Sequence, residues 1–235
     1  MNLGLKISIL PLLFLVTSLS FAQEEKKLID PSQLPREAAE ITSFVPKGWK
    51  IEEQIIGKLN NDSLPDYILK LVEDKPATKN NFPNERQRAL IILLGAKEGK
   101  LSLTAVSDKL LQCTTCGGAF YGAIEAPAHI KTRRDVLVVH QDHGSRDLVA
   151  QTYRFRYEPA TAKFALIGFD FTSRDRATGN EASESTNYLT GRRVVTRKDG
   201  KKDTTSRQSM SQEKVYIDQV DAEKFDAAAV KRLYL

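Results

Sequence analysis

Between Trp49 and Phe171 one unit recurs: a short run rich in β-branched and aromatic residues, then a cluster of Gly, Pro, Asn or Asp. Runs of that length suit strands, and the punctuation between them suits turns. Strands are expected at 67–72, 89–94, 101–106, 136–140, 152–157 and 164–171, with Trp49, Ile51, Ile55 and Ile56 leading into a turn at Asn60-Asn61-Asp62. Tyr153, Phe155 and Tyr157 fall on one face and Arg154 and Arg156 on the other, the alternation of a half-buried antiparallel strand.

The flanks read differently. Residues 31–44 suit a short helix, with Asp30 or Ser32 as cap and Pro35 in its first turn. Residues 221–233 suit a closing helix behind Asp221. Residues 174–184 lack apolar side chains other than alanine and are expected to form a loop. Asp199-Gly200 lies between 194–196 and 204–205 and signals a two-residue hairpin. No repeat recurs often enough to close a propeller. The expectation is a mainly β fold, an antiparallel meander of short strands with a short helix near each end.

Ahead of that domain, Lys6 precedes an apolar run from Ile7 to Leu19, and Ser20-Phe21-Ala22 supplies small residues before a charged stretch. A charged start, an apolar middle and a small-residue site define a cleavable secretory signal, with the cut near Ala22. The run is short of the roughly 20 residues that span a bilayer, and no later segment is apolar enough to do so. The organisation expected is a signal at 1–22, a polar segment and short helix at 23–48, and a β-rich domain at 49–235. The destination is periplasmic or extracellular. The net charge of +5 is a mild excess spread among many acids. It argues for solubility and against a nucleic-acid partner.

The chain has two cysteines, Cys113 and Cys116. In an oxidising compartment a disulfide is the default. Two rivals share the same residues. A C-x-x-C pair can support thiol exchange, although Gly117, Gly118 and Gly122 make this stretch read as a loop. With His140 and His143 the cysteines also make a formal Cys2His2 zinc set, although the Cys-to-His interval is longer than zinc-finger spacing. The segment from His140 to Asp147 gathers nucleophile, base and acid types, but no Gly-x-Ser-x-Gly elbow exists. A polar turn accounts for it, and His129 reads as a loop residue. Arg192, Arg193, Arg197, Lys198, Lys201 and Lys202 surround the Asp199-Gly200 turn. They offer weak contact with an anionic surface, or a solvated hairpin whose charges discourage edge pairing.

The most recognisable stretch is Lys58 to Asp66, followed by Tyr67-Ile68-Leu69. It resembles the calcium loop of FG-GAP-like, integrin-type β modules. In that pattern Asn60, Asp62 and Asp66 are side-chain ligands and Leu64 offers a carbonyl. Lys58 at the first acidic position and Ser63 at the turn glycine depart from it. A tight turn whose Asn and Asp side chains bond backbone amides is therefore the structural alternative. Taken with Cys113-x-x-Cys116-Gly-Gly, His143-Gly-Ser-Arg, Leu166-Ile-Gly168 and Asn187-Tyr-Leu-Thr-Gly191, the loop resembles a group of bacterial secreted proteins and lipoproteins carrying one FG-GAP-like module. The resemblance implies a β-rich extracytoplasmic domain without established catalysis. The expected role is binding or structural in the cell envelope. The alternative is an envelope enzyme: a thiol–disulfide oxidoreductase through Cys113 and Cys116, or a metal-dependent hydrolase through His140 and His143.

Overall fold

The computed structural model describes residues 27–76, 84–200 and 202–234. The signal-like stretch at 1–22 lies outside them. The described chain is mainly β and forms two antiparallel sheets. β1 (Glu37–Ala38), β2 (Trp49–Gly57), β3 (Asp66–Glu73), β4 (Arg88–Gly95) and β5 (Leu101–Ser107) make the first, in the order β1-β5-β4-β3-β2. β6 (Ala128–Arg133), β7 (Val136–Gly144), β8 (Asp147–Glu158), β9 (Lys163–Asp175), β10 (Glu181–Asn187), β11 (Arg192–Lys198) and β12 (Asp203–Ser209) follow one another as a seven-stranded meander. One α-helix, α1 (Ala222–Tyr234), closes the chain. The Asp221 carboxylate accepts from the Lys224 amide at its start.

Both faces of the first sheet are buried, which is why β3 and β4 read as nearly continuous apolar runs. Ile68, Leu90 and Ile92 share a core with Leu137, Val139, Tyr153, Phe155, Phe169 and Phe171 of the second sheet. Leu69, Leu71, Ile91 and Leu93 point the other way and are covered by Ile29, Leu34 and Phe44 from the N-terminal segment. Beyond the reach of the first sheet, α1 takes over as cover. Phe225 stands edge-on to Phe169 with ring centroids 5.3 Å apart. Below the helix, the fully buried Glu184 side chain is paired with Arg232 at 2.5 Å and with Arg193 at 3.3 Å. A buried carboxylate is tolerable only with such partners.

Bulges redirect side chains at two points. Glu52 is an extra residue between Ile51, opposite Leu71, and Glu53, opposite Lys70. Trp49 and Ile51 therefore join the outer core while Ile55 joins the inner one. Ile167 does the same in β9, between Leu166 opposite Phe155 and Gly168 opposite Arg154. That insertion lets Phe164, Leu166, Phe169 and Phe171 all reach one core.

Several local expectations are corrected. Residues 31–44 hold two single 3-10 turns, Pro31–Gln33 and Ile41–Phe44, with β1 between them paired to β5. Pro35 biases the residue before it away from helix, and Leu34 is extended. The end of the polar segment, residues 27–29, is anchored: Ile29 is buried, and the Leu28 and Ile29 amides donate to Asp108 Oδ2. The loop expected at 174–184 shrinks to 176–180, because β10 begins at Glu181. Its inward residues include the paired Glu184, so no apolar alternation marks it. The Asp199-Gly200 hairpin has a four-residue turn, since Lys198 pairs with Asp203, and Asp199 Oδ1 accepts from the Lys202 amide. His129 lies on β6 and not in a loop.

Phe44 is 0% exposed, so truncating it opens a cavity over the first sheet. Phe44→Ala is expected to lower the unfolding free energy by about 3 kcal/mol or more in urea titration. A loss below about 1 kcal/mol would show that the N-terminal segment is not part of the core.

Candidate functional site

The two sheets are joined by residues 108–127, and this link carries both cysteines. Leu110 and Leu111 seat its first part in the core between the sheets, and polar side chains from both sheets hold the rest. From the first sheet, Arg88 is 2% exposed and is paired through Nε and Nη2 with the Glu52 carboxylate, both contacts at 2.8 Å. Its remaining nitrogen donates to the carbonyls of Ala126 at 2.8 Å, Gln112 at 3.4 Å and Cys113 at 3.5 Å. Lys70 lies alongside, donating to the Ala128 carbonyl and paired with Glu53 at 2.7 Å. The bulge at Glu52 is what lets consecutive glutamates meet two inward cations. From the second sheet, Gln141 donates to the Leu110 carbonyl and accepts from the Gln112 amide.

The cysteines form a disulfide across a single turn, with the Cys116 amide donating to the Cys113 carbonyl. Cys113 is buried and Cys116 exposed. Between them Thr114 is buried, its hydroxyl donating to the Asn84 carbonyl and accepting from the Arg86 amide. The glycines that follow are required by contact. A Cβ on Gly118, where φ is +68°, would stand 2.5 Å from the Gly144 carbonyl oxygen. The Gly144 amide in turn donates to the Gly117 carbonyl. The Cys-Gly-Gly and His-Gly phrases of the sequence are thus two halves of one backbone contact.

Beside this link a cleft of about 730 Å³ is lined by Cys113, Cys116, His143, Gln151, Glu223 and Asp226, among others. His143 Nε2 stands 3.0 Å from Asp226 Oδ2, which joins β7 to α1. The Gln151 amide lies 3.4 Å from the same nitrogen, and Gln151 Oε1 accepts from the Tyr153 hydroxyl at 2.7 Å. Burial, with the Asp226 charge adding to it, pushes the Tyr153 hydroxyl far above its ordinary value, so it stays a donor. Asp226 Oδ1 and Gln112 Oε1 are buried acceptors without a hydrogen-bond partner among the described residues. The result is a recess with polar groups on its sheet side and a disulfide at its lip.

The other residues singled out in the sequence do not join it. His140 and His143 are on opposite faces of β7. His140 contacts Asp142 at 3.2 Å and the Thr152 hydroxyl at 2.8 Å, away from the cleft. The zinc set of Cys113, Cys116, His140 and His143 is therefore not brought together. Among the described residues no group of three or more His, Cys, Asp or Glu is placed to hold a metal ion. The polar turn expected over 140–147 is only Ser145-Arg146, because β7 runs on through Gly144. In the 60–66 loop the oxygens face the backbone: Asp66 accepts from the Leu59 amide at 2.6 Å and the Gly95 amide at 3.0 Å. Asp62 accepts from the Leu64 amide and from Asn60 Nδ2. Burial pushes the Asp66 carboxyl up, against the pull of those amides. Of the basic cluster, Arg193 turns inward to Glu184 and Thr186, and Arg197 donates to the Leu233 and Arg232 carbonyls at the end of α1. Lys198 is paired with Glu181 at 3.5 Å, Arg192 and Lys202 are exposed, and Lys201 lies outside the described residues.

Sequence reasoning missed Arg88, Glu52, Asp226 and Gln151. The one available signal was Glu52-Glu53 inside a strand that otherwise carries isoleucines. Comparison with known families, curated proteins and solved structures finds no match to this chain, so the functional reading rests on its own geometry.

Arg88→Met keeps bulk but removes the donor shared by the Ala126, Gln112 and Cys113 carbonyls and the partner of Glu52, and is expected to destabilise the fold by about 3 kcal/mol in urea. An effect below about 0.5 kcal/mol would remove the clamp from consideration. Gly118→Ala, which meets both the positive φ and the Gly144 oxygen, is expected to cost about 2 kcal/mol in the same assay.

Proposed function

We propose that this protein is exported and works outside the cytoplasm as a binding or structural β domain, with the cleft beside the inter-sheet link as its recognition surface. The observation that carries the reading is the closed Cys113–Cys116 disulfide, a pairing that persists where thiols are oxidised. The signal-like stretch ending at Ala22 points to the same compartment. No helix among the described residues is long and apolar enough to cross a membrane.

The cleft itself speaks for a polar ligand. Its floor offers the His143–Asp226 pair and the Gln151 amide, with Glu223 at the rim. Kinship with the FG-GAP-like group belongs to the same proposal and rests on the 60–69 loop and strand. The calcium role attached to that resemblance is not carried over, since Asp62 and Asp66 are engaged by backbone amides. The hydrolase reading through His140 and His143 has no support from their placement.

Expression of the full chain in a bacterial host, followed by fractionation, N-terminal sequencing and a thiol count, tests the compartment. The expected product begins at Gln23, lies outside the cytoplasm and has no free thiol. An unprocessed chain in the cytosol with both thiols reduced would refute it.

A further inference from the structure

We propose that the Cys113–Cys116 disulfide exchanges with substrate dithiols, and that Cys116 is the sulfur a substrate thiolate attacks. This goes beyond a binding or structural role, and it stands whether or not the protein is exported.

The pair is asymmetric. Cys113 is 3% exposed, whereas Cys116 is exposed, and both line the open cleft. Cys116 is therefore the residue more open to an incoming thiolate. The buried sulfur is equipped to leave. Thr115 Oγ1 lies 3.6 Å from Cys113 Sγ, and because a disulfide sulfur has no proton the hydroxyl must be the donor. A thiol is a better leaving group when a hydrogen-bond donor stabilises its anion.

The surrounding chain also keeps its place without the sulfur–sulfur bond. Arg88 holds the carbonyls of Gln112, Cys113 and Ala126. The Thr114 amide donates to the Arg86 carbonyl, the Ala126 amide to the Thr114 carbonyl and the Gly144 amide to the Gly117 carbonyl. The loop that the disulfide closes is so short that the bond adds little constraint to the unfolded chain compared with one closing a long loop. Opening it leaves these contacts intact.

The exchange balances without a further reagent. One thiol of the substrate loses its proton to solvent, and its thiolate attacks Cys116 Sγ. The Cys113–Cys116 bond breaks, and Cys113 leaves with the electron pair and takes up a proton. The substrate's second thiol also loses its proton to solvent, its thiolate attacks the substrate sulfur of the mixed disulfide, and Cys116 departs as thiolate and is protonated in turn. The substrate dithiol is oxidised to its disulfide by two electrons, and the protein disulfide is reduced to two thiols.

The test uses the oxidised full chain without denaturant, with dithiothreitol and glutathione as probes. Under limiting dithiothreitol, both sulfurs are expected to become alkylatable while the near-UV circular dichroism stays native. The mixed disulfide formed with reduced glutathione is expected to map to Cys116. Cys113→Ser is expected to capture oxidised glutathione at Cys116 at least about tenfold faster than Cys116→Ser captures it at Cys113. Thr115→Val is expected to slow reduction about threefold with its unfolding midpoint unchanged. Reduction that occurs only in step with unfolding would overturn the proposal, as would glutathione mapping to Cys113. The wild-type mapping decides the matter even if either serine variant fails to fold.

Discussion

A buried guanidinium fixes the chain that crosses between this molecule's two sheets. Arg88 lies at the start of β4, on the face turned toward the second sheet, where an unpaired charge would be intolerable. Glu52 neutralises it, and its remaining donor capacity goes to carbonyls of the chain that crosses between the sheets. Beyond Leu110 and Leu111, which dock in the core, the crossing stretch is thereby fixed. The disulfide, the cleft and the contact between the Gly117–Gly118 backbone and Gly144 inherit their positions from it.

The bulges make this arrangement available. A strand with strict alternation would send Glu52 and Glu53 to opposite faces, and one of the inward cations would lose its carboxylate. The extra residue in β2 turns both glutamates inward and also switches the strand from the outer core to the inner one. The extra residue in β9 performs the same service for apolar side chains, giving the second sheet a continuous aromatic floor under α1. Packing and electrostatics are therefore set by the same device in different strands.

The sequence made the strands in the middle of the chain legible, because β3, β4, β5, β8 and β9 obey periodicity or apolar continuity over most of their length. It hid β10, whose inward residues include the paired Glu184, and showed β12 only as the second arm of the Asp199-Gly200 hairpin, because both its faces are exposed. It also hid the role of the N-terminal segment, since Ile29, Leu34 and Phe44 are too widely spaced to form a periodic pattern yet cover one sheet face together. Of the site, the disulfide could be read from two cysteines in one short motif. His143 was visible as a residue type, but its partner Asp226 lies on the closing helix, and no local spacing joins the two. The Asn60–Asp66 loop was legible as a turn, and the structure assigns its carboxylates to backbone amides.

What makes the link part of the rigid body is buried charge and hydrogen bonding, so the sulfur bridge is a passenger on it. Native-state hydrogen exchange at increasing denaturant measures this directly. If Arg88 clamps the link, the amides of Thr114, Cys116 and Ala126 exchange only through global unfolding, with the same opening free energy as those of β4 and β9. Exchange of those amides through a local opening, at a free energy well below that of the sheets, would contradict it.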